Sequence, residues 1–136
     1  MDRRTFLAGA SAAGLTGLAG CTALGTDDDD YDIGMTAVAY RPESFRVEAG
    51  DTVVWKNTSS RAHSVTAYEQ GIPEEAGYFA TGGFDSEQAA RDAWDGAAGA
   101  INSGETYEHT FEVPGTYQYF CIPHEAGGMV ATVVVE

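Results

Sequence analysis

Cys121, His124 and Met129 set a thiol, an imidazole and a thioether within nine residues, Cys121-Ile122-Pro123-His124-Glu125-Ala126-Gly127-Gly128-Met129. Thiolate and thioether are soft donors, and together they select copper over magnesium, calcium or manganese. One Cys with two imidazoles and a weak axial Met is the donor set of a blue-copper electron-transfer site. The loop holds only one imidazole. The second must come from elsewhere, and His63, in Asn57-Thr58-Ser59-Ser60-Arg61-Ala62-His63-Ser64-Val65, is the candidate.

Each of these types also has a purely structural use. A single His at a strand end is ordinarily structural, and His63 becomes a ligand candidate because a Cys-His-Met loop shares its domain. His109 lies mid-strand between Tyr107 and Phe111, which suits a hydrogen-bonded core or edge histidine rather than a second metal site. Met35 reads as core or rim packing, and Trp55 and Trp94 as packing residues.

Ligands this far apart in sequence need a rigid frame. Alternating apolar patterns broken by turn residues predict short strands at Met35 to Tyr40, Phe45 to Glu48, Thr52 to Asn57, His63 to Tyr68, Glu105 to Val113, Thr116 to Cys121 and Met129 to Glu136. Ala49-Gly50-Asp51 and Pro114-Gly115 mark turns. In the fifth of these strands Tyr107, His109, Phe111 and Val113 share one face, expected to be buried. The long connection after His63 carries one helix signal, Asp85 to Trp94, with Asp85 and Gln88 spaced as a capping box. Tyr78 to Phe84 is Gly-rich but lacks the Lys and Ser/Thr of a phosphate loop, so it reads as a turn.

Residues 1–20 stand apart. Arg3-Arg4-Thr5-Phe6-Leu7 before a mildly apolar Ala/Gly/Leu run reads as a twin-arginine export signal, too short and Gly-rich to span a bilayer. Its end, Leu18-Ala19-Gly20-Cys21, resembles a lipobox, which makes Cys21 a lipidated anchor. Residues 21–33, with the run Asp27 to Asp30, then form an acidic tether; four carboxylates on a flexible chain lack the geometry of a Ca²⁺ loop. Residues 34–136 are one domain, and a monomer is expected.

Composition narrows the partners. The 136-residue chain has a formal net charge of −14, and because Asp2, Arg3 and Arg4 give the signal a net +1, the remainder carries −15. That balance excludes nucleic acid and anionic lipid as partners. A single Lys beside 21 acidic residues is the surface of a protein that stays soluble in concentrated salt, with stability that rises as salt screens self-repulsion. With Cys21 lipidated, Cys121 has no disulfide partner. An unpaired Cys outside the cell needs a reason, and a bound metal supplies one.

Three stretches carry a family likeness: Tyr40-Arg41-Pro42 through Val47-Glu48-Ala49-Gly50-Asp51-Thr52-Val53-Val54-Trp55; Asn57 to Val65 with His63; and Gly115-Thr116-Tyr117 through Cys121, His124 and Met129 to Val135. They resemble the cupredoxins, and within them the plastocyanin-like proteins and halocyanins. The resemblance implies an all-β, eight-stranded Greek-key sandwich with one short helix in an insertion. It also implies one type 1 copper ion held by His63, Cys121, His124 and Met129. An apolar partner-docking cap of Ile122, Pro123, Ala126, Gly127, Gly128 and Met129 would surround His124. Where plastocyanin and its relatives commonly carry Asn after the first His this chain has Ser64, and Ile122 stands where plastocyanin has Ser. The side-chain tie between the ligand loops is therefore expected to be weaker. Pro123 has no N–H, so the loop offers the thiolate one amide donor fewer.

The resulting expectation is a one-electron carrier, lipid-anchored on the extracytoplasmic face of the membrane and serving redox proteins of an electron-transport chain. An oxidase or nitrite reductase would need a second copper reached through a His beside the Cys, yet Phe120 and Ile122 flank Cys121. A binuclear centre would need two Cys in the loop. The alternative is a copper chaperone or a zinc-stabilised binding module, although the usual fourth ligand of zinc is not a thioether.

Overall fold

The computed structural model describes residues 31–136. The expected export signal, the lipidation site Cys21 and the acidic run Asp27 to Asp30 lie outside the described residues. Eight strands follow in order: β1 (Ile33–Met35), β2 (Tyr40–Arg41), β3 (Ser44–Val47), β4 (Asp51–Asn57), β5 (Thr66–Ala67), β6 (Thr106–Phe111), β7 (Gly115–Phe120) and β8 (Val130–Val135). They form two four-stranded sheets, ordered β2-β1-β4-β6 and β3-β8-β7-β5. The pairs β1/β4 and β3/β8 are parallel, the others antiparallel.

The period-two alternation that marked the strands fills the space between the sheets. Val53, Trp55 and Asn57 of β4 point inward, as do Tyr117 and Tyr119 of β7 and Ala131, Val133 and Val135 of β8. Trp55 is at the centre, its ring centroid 5.5 Å from Tyr119 and 5.6 Å from Tyr107. Tyr40 meets Tyr119 edge-on at 4.6 Å, a geometry that suits aromatic quadrupoles.

The structure differs from the sequence expectation in several places. The first expected strand is two, because Thr36 makes a turn inside it: its amide donates to the Ala39 carbonyl at 2.8 Å, and its Oγ1 accepts from the Ala39 amide at 3.0 Å. Pairing starts early, with Asp32 N–H donating to the Val54 carbonyl at 2.8 Å. The inward face of β6 is only partly covered. Phe111 is buried, but Tyr107 and His109 are half-buried. Rings hold His109, which stacks on Phe79 at 4.3 Å and meets the edge of Phe111 at 4.7 Å.

The connection between β5 and β6 is laced to the sandwich. Thr66 bridges to Ala80 and His63 to Ile101. Its helix, α1 (Glu87–Ala93), is capped by Ser86 rather than Asp85: Ser86 Oγ accepts the Ala89 amide at 3.1 Å. Ala90 is buried against the sandwich, whereas Trp94 lies half-buried in the following turn. Among the described residues no helix is long and apolar enough to cross a membrane.

Candidate metal centre

Two loops meet at one end of the sandwich. The first leaves β4 through Asn57, whose place at the end of the alternation puts a polar side chain in the core. All of its capacity is used: Nδ2 donates to the carbonyls of Arg61 (2.6 Å) and Ile101 (2.8 Å), and Oδ1 accepts from the amide (2.9 Å) and hydroxyl (2.8 Å) of Ser59. A buried polar group satisfied in this way fixes the backbone around it. His63 is fully buried beyond that turn, and its backbone exchanges bonds with Ile101 at 3.1 and 2.7 Å.

The second loop runs from Cys121 to Met129. Residues Ile122–Gly127 form a 3₁₀ turn, closed where the His124 carbonyl accepts the Met129 amide at 3.2 Å and the Glu125 carbonyl accepts the Gly128 amide at 2.9 Å. Gly128 ends the turn at φ +94°, a left-handed conformation that favours glycine. The Cys121 amide donates to the Met129 carbonyl at 3.1 Å, which joins the two ends of the loop.

His63, Cys121 and His124 are thereby brought together. Cys121 Sγ is 3.6 Å from His63 Nδ1 and 3.3 Å from His124 Nδ1, and the three donor atoms lie within 4.8 Å of one another. Ser59 Oγ lies 3.0 Å from His63 Nε2. With its hydrogen given to Asn57 Oδ1, Ser59 Oγ can accept from His63 Nε2, the tautomer that a metal on Nδ1 requires. Met129 is 1% exposed beneath the loop.

Electrostatics suit a metal site. Burial, and next the nearby His124, lower the His63 pKa to about 4, so this ring is neutral at neutral pH. Burial and then Arg61 lower that of His124. Burial pushes the Cys121 thiol up to about 11, against the pull of the Ser64 and His124 backbone amides and the Ser64 hydroxyl. Metal binding must therefore displace a thiol proton. Two imidazole nitrogens facing one thiol fit a thiophilic metal that also accepts nitrogen, as copper does.

A side-chain tie does join the two loops. Ser64 Oγ accepts the Ile122 amide at 3.0 Å and lies 2.9 Å from Thr66 Oγ1. Tyr40 OH donates to the Ser64 carbonyl at 2.5 Å. A serine hydroxyl suffices because Ser64 is buried directly against the second loop. Around His124, Ile122 is half-buried and Pro123, Ala126, Gly127 and Gly128 are exposed, while Met129 lies below this surface rather than in it. Sequence reasoning missed the roles of Asn57 and Ser59; the Asn-Thr-Ser-Ser run after a strand is a turn signal that points to them.

Comparisons with known proteins agree with this geometry. Residues 28–136 match the family model described as copper binding proteins, plastocyanin/azurin family. Plastocyanin from Vicia faba is 36% identical over 99 residues, covering 72% of this chain and 88% of that protein. Plastocyanin from Scenedesmus fuscus is 31% identical over 100 residues, covering 74% and 89%. Among solved structures, amicyanin from Paracoccus versutus superposes with a TM-score of 0.54 at 29% identity, covering 76% of this chain and 78% of that one. Oxidised plastocyanin from Dryopteris crassirhizoma shares the fold at a TM-score of 0.54, with 18% identity and coverage of 76% and 98%. The chain belongs to the plastocyanin/azurin family of copper-binding proteins, the cupredoxins, which are electron carriers and not enzymes.

Proposed function

We propose that the chain is a type 1 blue-copper carrier of the halocyanin kind, exported by the twin-arginine route and held by lipid on Cys21 at the outer face of the cell membrane. There it passes single electrons between redox proteins of a membrane electron-transport chain. The observation that carries this reading is the convergence of Cys121 Sγ with the Nδ1 atoms of His63 and His124 at 3.6 and 3.3 Å. Bound copper supplies a Cu(I)/Cu(II) couple of one electron. Cys121, His63 and His124 would be the strong donors, and Met129 a weak fourth donor that tunes the potential.

The protein's part is to hold those donors still. Asn57 and Ser59 orient His63, Ser64 ties the two loops, and the turn closed on Gly128 carries His124 to the surface. Burial of Cys121, His63 and Met129 excludes water, so little need rearrange when charge changes. The exposed rim of Pro123, Ala126, Gly127 and Gly128, with Ile122, is the docking face. In molar salt charges are screened beyond about 3 Å, which leaves recognition to this apolar rim.

The test is the visible and paramagnetic-resonance spectrum of a soluble form beginning at Thr22, in molar salt, with one equivalent of Cu(II). An intense blue band with narrow copper hyperfine splitting, bleached reversibly by ascorbate, is expected. A folded but colourless protein would refute the reading and favour a chaperone or zinc module.

A further inference from the structure

Helix α1 is not needed to build the sandwich or the ligand set, yet it is bonded to the metal loop. Its start is fixed to the segment leaving β5 by a reciprocal pair: Glu69 N–H donates to Glu87 Oε1 at 3.0 Å, and Glu87 N–H to Glu69 Oε1 at 3.1 Å. One turn further on, Arg91 Nε donates to Glu87 Oε2 at 2.9 Å. Both Arg91 terminal nitrogens reach the Glu125 carboxylate, at 2.8 and 3.2 Å. The guanidinium also lies 4.3 Å over the Phe120 ring. Phe120 stacks on Tyr68 at 4.4 Å, and the Tyr68 hydroxyl donates to the same Glu125 carboxylate at 2.6 Å. Phe120 precedes Cys121 and Glu125 follows His124, so one side chain grips the loop on both sides of this ligand pair.

We propose that Arg91 is a positioning residue for the metal loop: from the insertion helix it holds Glu125, and through Glu125 the turn that carries His124 and returns to Met129. This rests on the loop being the copper loop. The contact has the features that make an ion pair count. It is bidentate and joined to a ring face, and its partners are only 33% and 30% exposed. An isolated surface pair would have little effect. The Glu125 carbonyl accepts the Gly128 amide and the neighbouring His124 carbonyl accepts the Met129 amide, so a shift of Glu125 loosens both closures of the turn. Without Arg91, the carboxylates of Glu87 and Glu125 would also face each other with no cation between them.

The experiment compares the full chain with Arg91→Gln, Arg91→Lys and Glu125→Gln, metal-free by amide hydrogen exchange and copper-loaded by paramagnetic resonance and potentiometry. In Arg91→Gln the Gly128 and Met129 amides should exchange about tenfold faster, the size of one lost charge-assisted hydrogen bond. Amides of β7 and β8 should change less than about twofold, because their opening does not involve the clamp. Copper hyperfine splitting and potential should both shift. Arg91→Lys keeps the charge without the fork and should recover part of each effect; Glu125→Gln should act in the same direction as Arg91→Gln. Unchanged loop exchange, or a rise shared equally by β7 and β8, would overturn the positioning role. A blue wild type with an unaltered Arg91→Gln loop would sink Arg91 alone, whereas a colourless wild type would sink the electron-carrier reading beneath it.

Discussion

Replacing Ser64 by Ala tests whether one hydroxyl holds the two ligand loops together. It removes the acceptor of the Ile122 amide, 3.0 Å away, and the partner of Thr66 Oγ1, 2.9 Å away. Each lost hydrogen bond costs about 1 kcal/mol net. Thr66 is buried, so its stranded hydroxyl adds about another 1 kcal/mol. The total is about 3 kcal/mol. In a domain of this size each kcal/mol moves the thermal midpoint by about 4–8 °C, so Ser64→Ala should melt about 12–24 °C lower. The assay is thermal unfolding of the metal-free protein in molar salt, followed by circular dichroism, with amide exchange at Ile122 as a local probe. A fall of less than about 3 °C, with Ile122 still protected, would refute the reasoning and show that the loops are held by backbone contacts alone.

Asn57→Ala should cost about 3 kcal/mol or more, since it removes four hydrogen bonds that a buried side chain makes to Arg61, Ile101 and Ser59; a loss below about 1 kcal/mol in urea unfolding would remove Asn57 from its central place. Burial under Phe79 holds the folded pKa of His109 below its ordinary 6.5, so in acid the unfolded chain takes up its proton first. The stability given by the neutral ring is complete above about pH 6.5 and declines as pH falls toward the lowered folded value. His109→Phe in the metal-free protein should flatten that slope of midpoint against pH, and an unaltered slope would assign it to His63 and other groups. Met129→Gln should lower the reduction potential, because an oxygen donor favours Cu(II); an unchanged midpoint would show that Met129 is not axial. Ala126→Lys should slow electron exchange with a redox partner while leaving the blue band in place, and unaltered kinetics would move the docking face elsewhere.

Much of this molecule is legible in its sequence, for reasons that differ between elements. β4, β7 and β8 are found easily because each buries alternate residues, so periodicity and burial coincide. β1 and β2 merge in the sequence because the turn between them has no Gly or Pro and is made by the Thr36 hydroxyl. The strand expected from His63 to Tyr68 shrinks to Thr66–Ala67, since His63 bridges to Ile101 and Thr66 also pairs with Ala80. Cys121, His124 and Met129 are legible because their donor chemistry and spacing are local. Ser64 and Arg91 are not, because each acts through a partner that only the folded chain brings near; Ser64 and Ile122 are 58 positions apart, Arg91 and Glu125 34.

The place of β8 has a consequence for how the molecule comes into being. It lies between β3 and β7, and its pairing with β3 joins Ser44 to Thr132 and Val47 to Val135. That sheet cannot close until Val135 is present, however early β3 is made. Such distant pairings fold slowly, since the chain must be looped before contacts compensate. The Cys121 to Met129 loop immediately precedes β8 and leans on it. A chain interrupted before β8 would hold every donor atom and still have no site, so the ability to capture copper is acquired all at once, as a readout of completed folding.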